Sequence, residues 1–183
     1  MKTKLRTVIL LVFVYLFSIN CISAQRKSSV NFIGLNPSIT YEPFYEKGEL
    51  DINVFPLVYQ TPLSKRIDIR VSSIVNYGIR NTNNSFSHLG FQTALPIFFK
   101  LKEEKNLPSG GLFIAPGFGV TRNLIEKHSN VGLWVEPGYN LLFDDNFAIS
   151  FSAQFGATHF WYDNGDTKWG NHFGIKIIIG MWF

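Results

Sequence analysis

An all-β fold, specifically an eight-stranded antiparallel transmembrane β-barrel of the up-and-down kind, is what the sequence predicts. Three observations predict it. Apolar residues recur with period two after residue 25, turn residues return about every 20 residues, and the chain opens on an export leader. Composition narrows the alternatives. The 183 residues are 46% hydrophobic and only 16% charged, which excludes a disordered chain. With 16% aromatics, 15 Gly and 2 Met, the chain is unlike a helical bundle. One Cys excludes a disulfide framework within the chain.

The leader comes first. Lys2, Lys4 and Arg6 precede the apolar run Val8 to Phe17, and the small pair Ser23-Ala24 follows before Gln25. This is the order of a cleaved secretory signal, with cleavage expected after Ala24. It divides the chain into a signal peptide at 1–24 and a barrel domain at 25–183. A spanning helix needs about 20 apolar residues, and this run is half that. Cys21 could be a lipidated cysteine, but Asn20 stands where a lipoprotein signal needs a small residue. Removing the leader lowers the formal charge from +4 to +1, since three of the 17 Lys and Arg go with it. Nothing there calls for nucleic acid.

Eight strands are then expected, at 29–42, 49–60, 65–80, 86–100, 110–122, 130–142, 146–160 and 168–183. The first ends at the turn Glu46-Lys47-Gly48, and the second at Pro62-Leu63-Ser64. Asn81 to Ser85 closes the third, Lys102 to Ser109 the fourth, and Glu126 to Ser129 the fifth. Asp144-Asp145-Asn146 closes the sixth, and Asp163 to Thr167 closes the seventh. The alternation is clearest in the last two. Ile149, Phe151, Ala153 and Phe155 fall on one face, with Ser150, Ser152 and Gln154 on the other. Phe173, Ile175, Ile177, Ile179, Met181 and Phe183 share a face opposite His172, Lys176, Ile178 and Trp182. Alternating turns place both chain termini at one end and the turn 81–85 at the other.

Such a sheet suits either a soluble barrel with its apolar face inward or a membrane barrel with that face outward. Three features favour the membrane. Asp68, Arg70, Glu136 and Lys176 fall mid-strand on the polar face, where a lumen can pair them. Trp161, Tyr162 and Trp169 gather at one end, and Phe143, Phe147, Trp182 and Phe183 at the other, as in two interfacial girdles. The leader and the lone Cys suit export. The competing reading of the aromatics is an ordinary core.

The leader ending Ser23-Ala24-Gln25 and the closing strand from Ile175 to Phe183 resemble small bacterial outer-membrane β-barrels of the OmpA/OmpX-like kind. The resemblance covers the whole mature chain, but its motifs are architectural. It implies that Phe183 is the assembly signal, read by the barrel assembly machinery. It also implies an outer-membrane location with periplasmic termini. Ile178 on the lumen face departs from the pattern. So do Pro37, Pro56, Pro96, Pro116 and Pro137, where bulges or irregular strands are expected because proline lacks a ladder donor.

The candidate site is the lumen. Arg70, Glu136 and Lys176 are expected at similar depth, with Asp68 and Asn53 completing the set and Glu136 paired with Arg70 or Lys176. The plain reading is a buried ion-pair plug, with Asn53 and Gln92 satisfying leftover groups. The sharper one is an ion pathway. His88, His128, His159 and His172 collect near the loop end without ligand-like spacing, so no metal or other cofactor is expected. Ser87-His88 and His128-Ser129 are adjacent, and adjacent strand residues face opposite sides, so no nucleophile–base couple is expected. No Gly-x-Ser-x-Gly elbow is present, and Gly117-Phe118-Gly119 is far from a phosphate loop. The expected function is non-enzymatic: a structural or interaction subunit of the cell envelope, such as an accessory subunit of a larger outer-membrane complex. A small porin-like conduit, a lipid-modifying enzyme and a soluble lipocalin-like binder are the alternatives. The expected partners are the lipid bilayer with lipopolysaccharide, the assembly machinery, and protein subunits of that complex.

Overall fold

The computed structural model describes residues 31–40, 47, 49–143 and 146–183. The leader, its cleavage point and Cys21 lie outside the described residues. Eleven strand segments form one sheet: β1 (Phe32–Leu35), β2 (Ile39–Thr40), β3 (Leu50–Asn53), β4 (Leu57–Pro62), β5 (Asp68–Ile79) and β6 (Ser85–Ala94) come first. β7 (Ile97–Phe98), β8 (Gly111–Asn123), β9 (His128–Phe143), β10 (Phe147–Tyr162) and β11 (Thr167–Trp182) follow. They make eight staves, because β1 and β2 share the first, β3 and β4 the second, and β6 and β7 the fourth.

The three splits fall at Pro37, Pro56 and Pro96, where the ladder lacks a donor. Pro116 and Pro137 are held inside β8 and β9 instead. At Pro137 the β9–β10 pairing passes from Gly138–Ser152 to Val135–Phe155 without the two pairs between them. The count is kept, so no side chain changes face.

Neighbouring staves are antiparallel, and the ring closes. β11 pairs with β10 on one side and with β1 on the other, in register from Phe32↔Trp182 to Leu35↔Ile179. Asn31 and Phe183 complete the seam by exchanging backbone hydrogen bonds of 3.0 and 2.8 Å. The expected eight-stranded closed barrel is therefore the observed fold.

The alternation is inside-out. Ile175 is 71% exposed and Phe173 65%, while Lys176, the next residue along the same strand, is 5% exposed. The apolar core is small and lies in the lumen toward the termini. Phe32, Val58, Ala148, Ile178 and Trp182 form one cluster there, and Ala94, Phe98, Phe113 and Ala115 a second.

Candidate functional site

The lumen fills in three tiers. Period two turns the even-numbered residues of β9, β10 and β11 inward, so Glu136, Ser152, Gln154 and Lys176 meet at mid-height. Glu136 is fully buried. It accepts a hydrogen bond from Arg70 Nη2, which reaches across from β5. It also accepts from Ser152 Oγ at 2.8 Å, Gln154 Nε2 at 3.1 Å and Lys176 Nζ at 3.3 Å. One carboxylate thus serves two cations, and both cations lean on rings. Arg70 lies 5.6 Å from the Phe113 centroid and Lys176 Nζ 5.8 Å from that of Trp134. Gln92 joins this tier through Gln154, at 3.4 Å.

Toward the termini, Asp68 is placed with Glu136 on the inner wall but belongs to a separate pair. It accepts from Gln60 Nε2 at 2.7 Å and from Lys102 Nζ at 3.3 Å, and Lys102 also donates to Ser109 Oγ at 2.9 Å. Lys102 comes from the turn after β7. Sequence reasoning missed it, since it sits in the run Lys100 to Lys105 that reads as solvated. Burial holds its ammonium below the ordinary lysine range, against the opposing pull of Asp68.

Asn53 faces inward but takes no part in the charge network. Its side-chain oxygen accepts from the Phe55 and Val75 backbone at 3.2 Å each, and its amide donates to Ser73 O at 3.2 Å. It repairs the ladder where Pro56 breaks the second stave. Ser73 does the same from the other side, donating to Phe55 O and accepting from Leu57 N.

Toward the loops the wall carries a row of directly opposed inward residues: Asn53, Asn76, His88, Asn123, His128 and Tyr162. Here the structure corrects the expectation for Ser87-His88. A bulge shifts the β5–β6 register between Asn76 and Tyr77, so Ser87 and His88 both turn inward. Ser87 Oγ donates to Asp51 Oδ2 at 2.6 Å, and His88 Nδ1 lies 2.9 Å from the same oxygen. Asn123 Oδ1 caps Ile125 N and Glu126 N, which aims its amide at His88 Nε2, 3.1 Å away. His88 therefore donates through Nδ1 and accepts at Nε2. The nitrogen next to Ser87 is already spent on Asp51, so Ser87 has no imidazole base. Arg80 Nη2 lies 2.8 Å from Asp51 Oδ1, completing a tightly held knot. His128 and Ser129 do fall on opposite sides, Ser129 facing Arg122 outside.

The aromatics also sort by face. Trp161 and Trp169 point outward and flank His159, with ring centroids 4.1 and 4.6 Å from it. Tyr162 at this rim and Trp182 at the opposite one are expected as interfacial residues, but both turn inward. Tyr162 packs on His128 at 4.9 Å, and Trp182 is buried against Phe32 at 5.3 Å. The cause is parity: each is one residue out of phase with its outward neighbours Trp161, Met181 and Phe183.

Gly117 and Gly119 gain a meaning the sequence hid. A Cβ at Gly117 would stand 2.5 Å from Trp134 Nε1, and one at Gly119 3.1 Å from its far edge. The two glycines, with Gly132, form a bed for the Trp134 indole across the lumen above Lys176. Among the described residues, no three His, Cys, Asp or Glu side chains gather as a metal site would require. The middle tier can hold and pair charges; with Glu136, Arg70 and Lys176 at most 5% exposed, water barely reaches it. No family model matches the chain and no curated protein matches it, so its identification rests on the fold, a closed eight-stranded antiparallel β-barrel.

Proposed function

We propose that this chain is a non-enzymatic integral barrel of a bacterial outer membrane, serving as a structural or interaction subunit of the envelope. One observation carries the reading: the inverted polarity of the wall. Leu133, Phe155, Phe173 and Ile175 are each more than half exposed, while Glu136, Arg70, Asp68 and Lys176 are buried. A contiguous apolar surface of this kind wants hydrocarbon, and a closed ring leaves no strand edge bare in it. The rims support it. Trp161 and Trp169 mark the loop end, and Phe143 and Phe147, 5.8 Å apart, the other. The leader supports export, with periplasmic termini and Phe183 read by the assembly machinery. Lipopolysaccharide would then surround the loop-end rim. The packed middle tier weighs against a porin-like conduit.

The test is fractionation with gel mobility. The chain should sediment with outer membranes and migrate differently before and after boiling. Recovery in the soluble periplasm with unchanged mobility would overturn the proposal.

A further inference from the structure

Between the charged middle tier and the loop-side lumen stands a single stacked pair. His172 lies parallel to Trp134, with centroids 4.9 Å apart and planes 13° from parallel. Trp134 is almost fully buried in its glycine bed, and His172 is half-buried, so solvent from the loop side reaches the imidazole first. The hydrogen bonds fix its state. Gln154 Nε2 points at Glu136, so Gln154 Oε1 faces His172 Nε2 at 3.2 Å and accepts its proton. Thr158 Oγ1 lies 3.2 Å from Nδ1 and donates to it. Nε2 thus carries a proton, and Nδ1 faces a hydroxyl that donates to a neutral ring and can turn to accept from a protonated one.

We propose that His172 is a proton-operated latch: a proton taken up at Nδ1 from the loop-side solvent releases Trp134 and wets the Arg70–Glu136–Lys176 centre. The groups facing His172 make a second positive charge unwelcome. Lys176 is four residues away, two alternation periods along the same face of β11, and Arg70 lies beyond it from β5. The facing carboxylate among the described residues, Glu136 of β9, is already shared between those two cations. Gln154 and Thr158 of β10, Gln92 of β6 and Gly132 of β9 add no charge. Lys168 sits further up β11 at the exposed rim, and Glu42 lies in the segment 41–46 outside the described residues. An imidazolium is attracted to an indole face, but Lys176 Nζ already approaches that ring. Protonation takes the tier from one excess positive charge to two, and the easiest relief is for His172 to swing toward the loops. The indole then loses the ring that presses it onto Gly117 and Gly119. The bed itself holds it by contact alone, since Trp134 Nε1 has no hydrogen-bond partner.

The full chain, with Trp161→Phe, Trp169→Phe and Trp182→Phe leaving Trp134 as its sole tryptophan, reports the latch by acrylamide quenching in phosphatidylcholine vesicles. The quenching constant should rise at least about two-fold between about pH 7.5 and about pH 4, a window that contains the usual histidine range and extends below it. The rise should vanish in His172→Gln and persist in His128→Gln and Glu42→Gln, with the strand spectrum retained throughout. A parent that shows no rise, a rise that survives in His172→Gln, or a rise that comes with loss of the strand spectrum overturns the proposal.

Discussion

The two halves of the lumen are filled by different chemistry. Toward the termini, Phe32, Ile178, Trp182, Phe98 and Phe113 pack like a small soluble core, and the charged pair Asp68 with Lys102 is closed off by Ser109 and Gln60. Toward the loops the fill is amide, hydroxyl and imidazole gathered around the Asp51–Arg80 ion pair. That half tolerates imperfect pairing: neither ring nitrogen of buried His128 makes a well-formed hydrogen bond, although the Glu126 backbone lies near. Glu136 stands at the boundary. The difference teaches that one strand pattern, small and polar on its inner face, can encode a sealed end and a softer end. The size and the polarity of the inward side chain are what vary.

The largest effect expected is at that boundary. Glu136→Ala leaves Arg70 and Lys176 buried together without an anion, at a cost of about 3–5 kcal/mol. The urea unfolding midpoint in lipid should fall far more than for Glu126→Ala, which is exposed in the turn after β8. Replacing Arg70, Glu136 and Lys176 together by apolar residues should cost less than Glu136→Ala alone. Equal midpoints for the two alanine variants would end the view of Glu136 as a shared counter-ion.

The contrast between the halves sharpens next. Trp182→Ala empties a packed site and should cost about 3–5 kcal/mol. His128→Leu, in the soft half, removes buried nitrogens that are poorly paired, so the midpoint should hold or rise. A large loss for His128→Leu would mean the loop half is as tightly specified as the other. Below these in size comes Gly117→Ala, whose methyl would displace Trp134, at about 1–3 kcal/mol.

The smallest effect lies outside. Arg122 donates to Asp163 at 2.8 and 2.6 Å, and that hydrogen bond holds the Asp163 carboxyl below its ordinary value of 3.8. A depressed carboxyl contributes stability above its unfolded value and loses it as pH falls through the folded one. Asp163→Asn should therefore lower the midpoint slightly at neutral pH, and the difference should shrink once pH falls below 3.8. The pair is exposed and screened, so added salt should shrink it too.

Much of the fold was legible because β8 to β11 keep strict alternation over 13 to 16 residues, and the turns between strands carry Asn, Asp and Gly. The same parity turned Arg70, Glu136 and Lys176 toward one another. What escaped did so where the count or the partner is nonlocal. The extra residue at Ser87 is set by how β5 and β6 register, which local composition does not reveal. Lys102 is one of several lysines in a charged turn, and only the fold brings it to Asp68. Gly117 and Gly119 look like a weakness in a strand until Trp134, 15 residues later, is seen to need the room. Asn53 looked like a lumen polar group because its pairing with the backbone depends on where Pro56 breaks the stave.

The seam between Asn31 and Phe183 has a consequence for how the molecule comes to be. Seven of the eight stave junctions join segments near in sequence, and the eighth joins the two ends of the described chain. The ring therefore cannot shut while any stave is missing, and until then β1 and β11 each present a bare edge. That contact carries the longest loop closure in the fold and should form late, after the hairpins β8–β9 and β10–β11 have zipped. The time between the first hairpin and the last seam is an interval of vulnerability to aggregation. It is also the interval in which a partner holding the final strand could act.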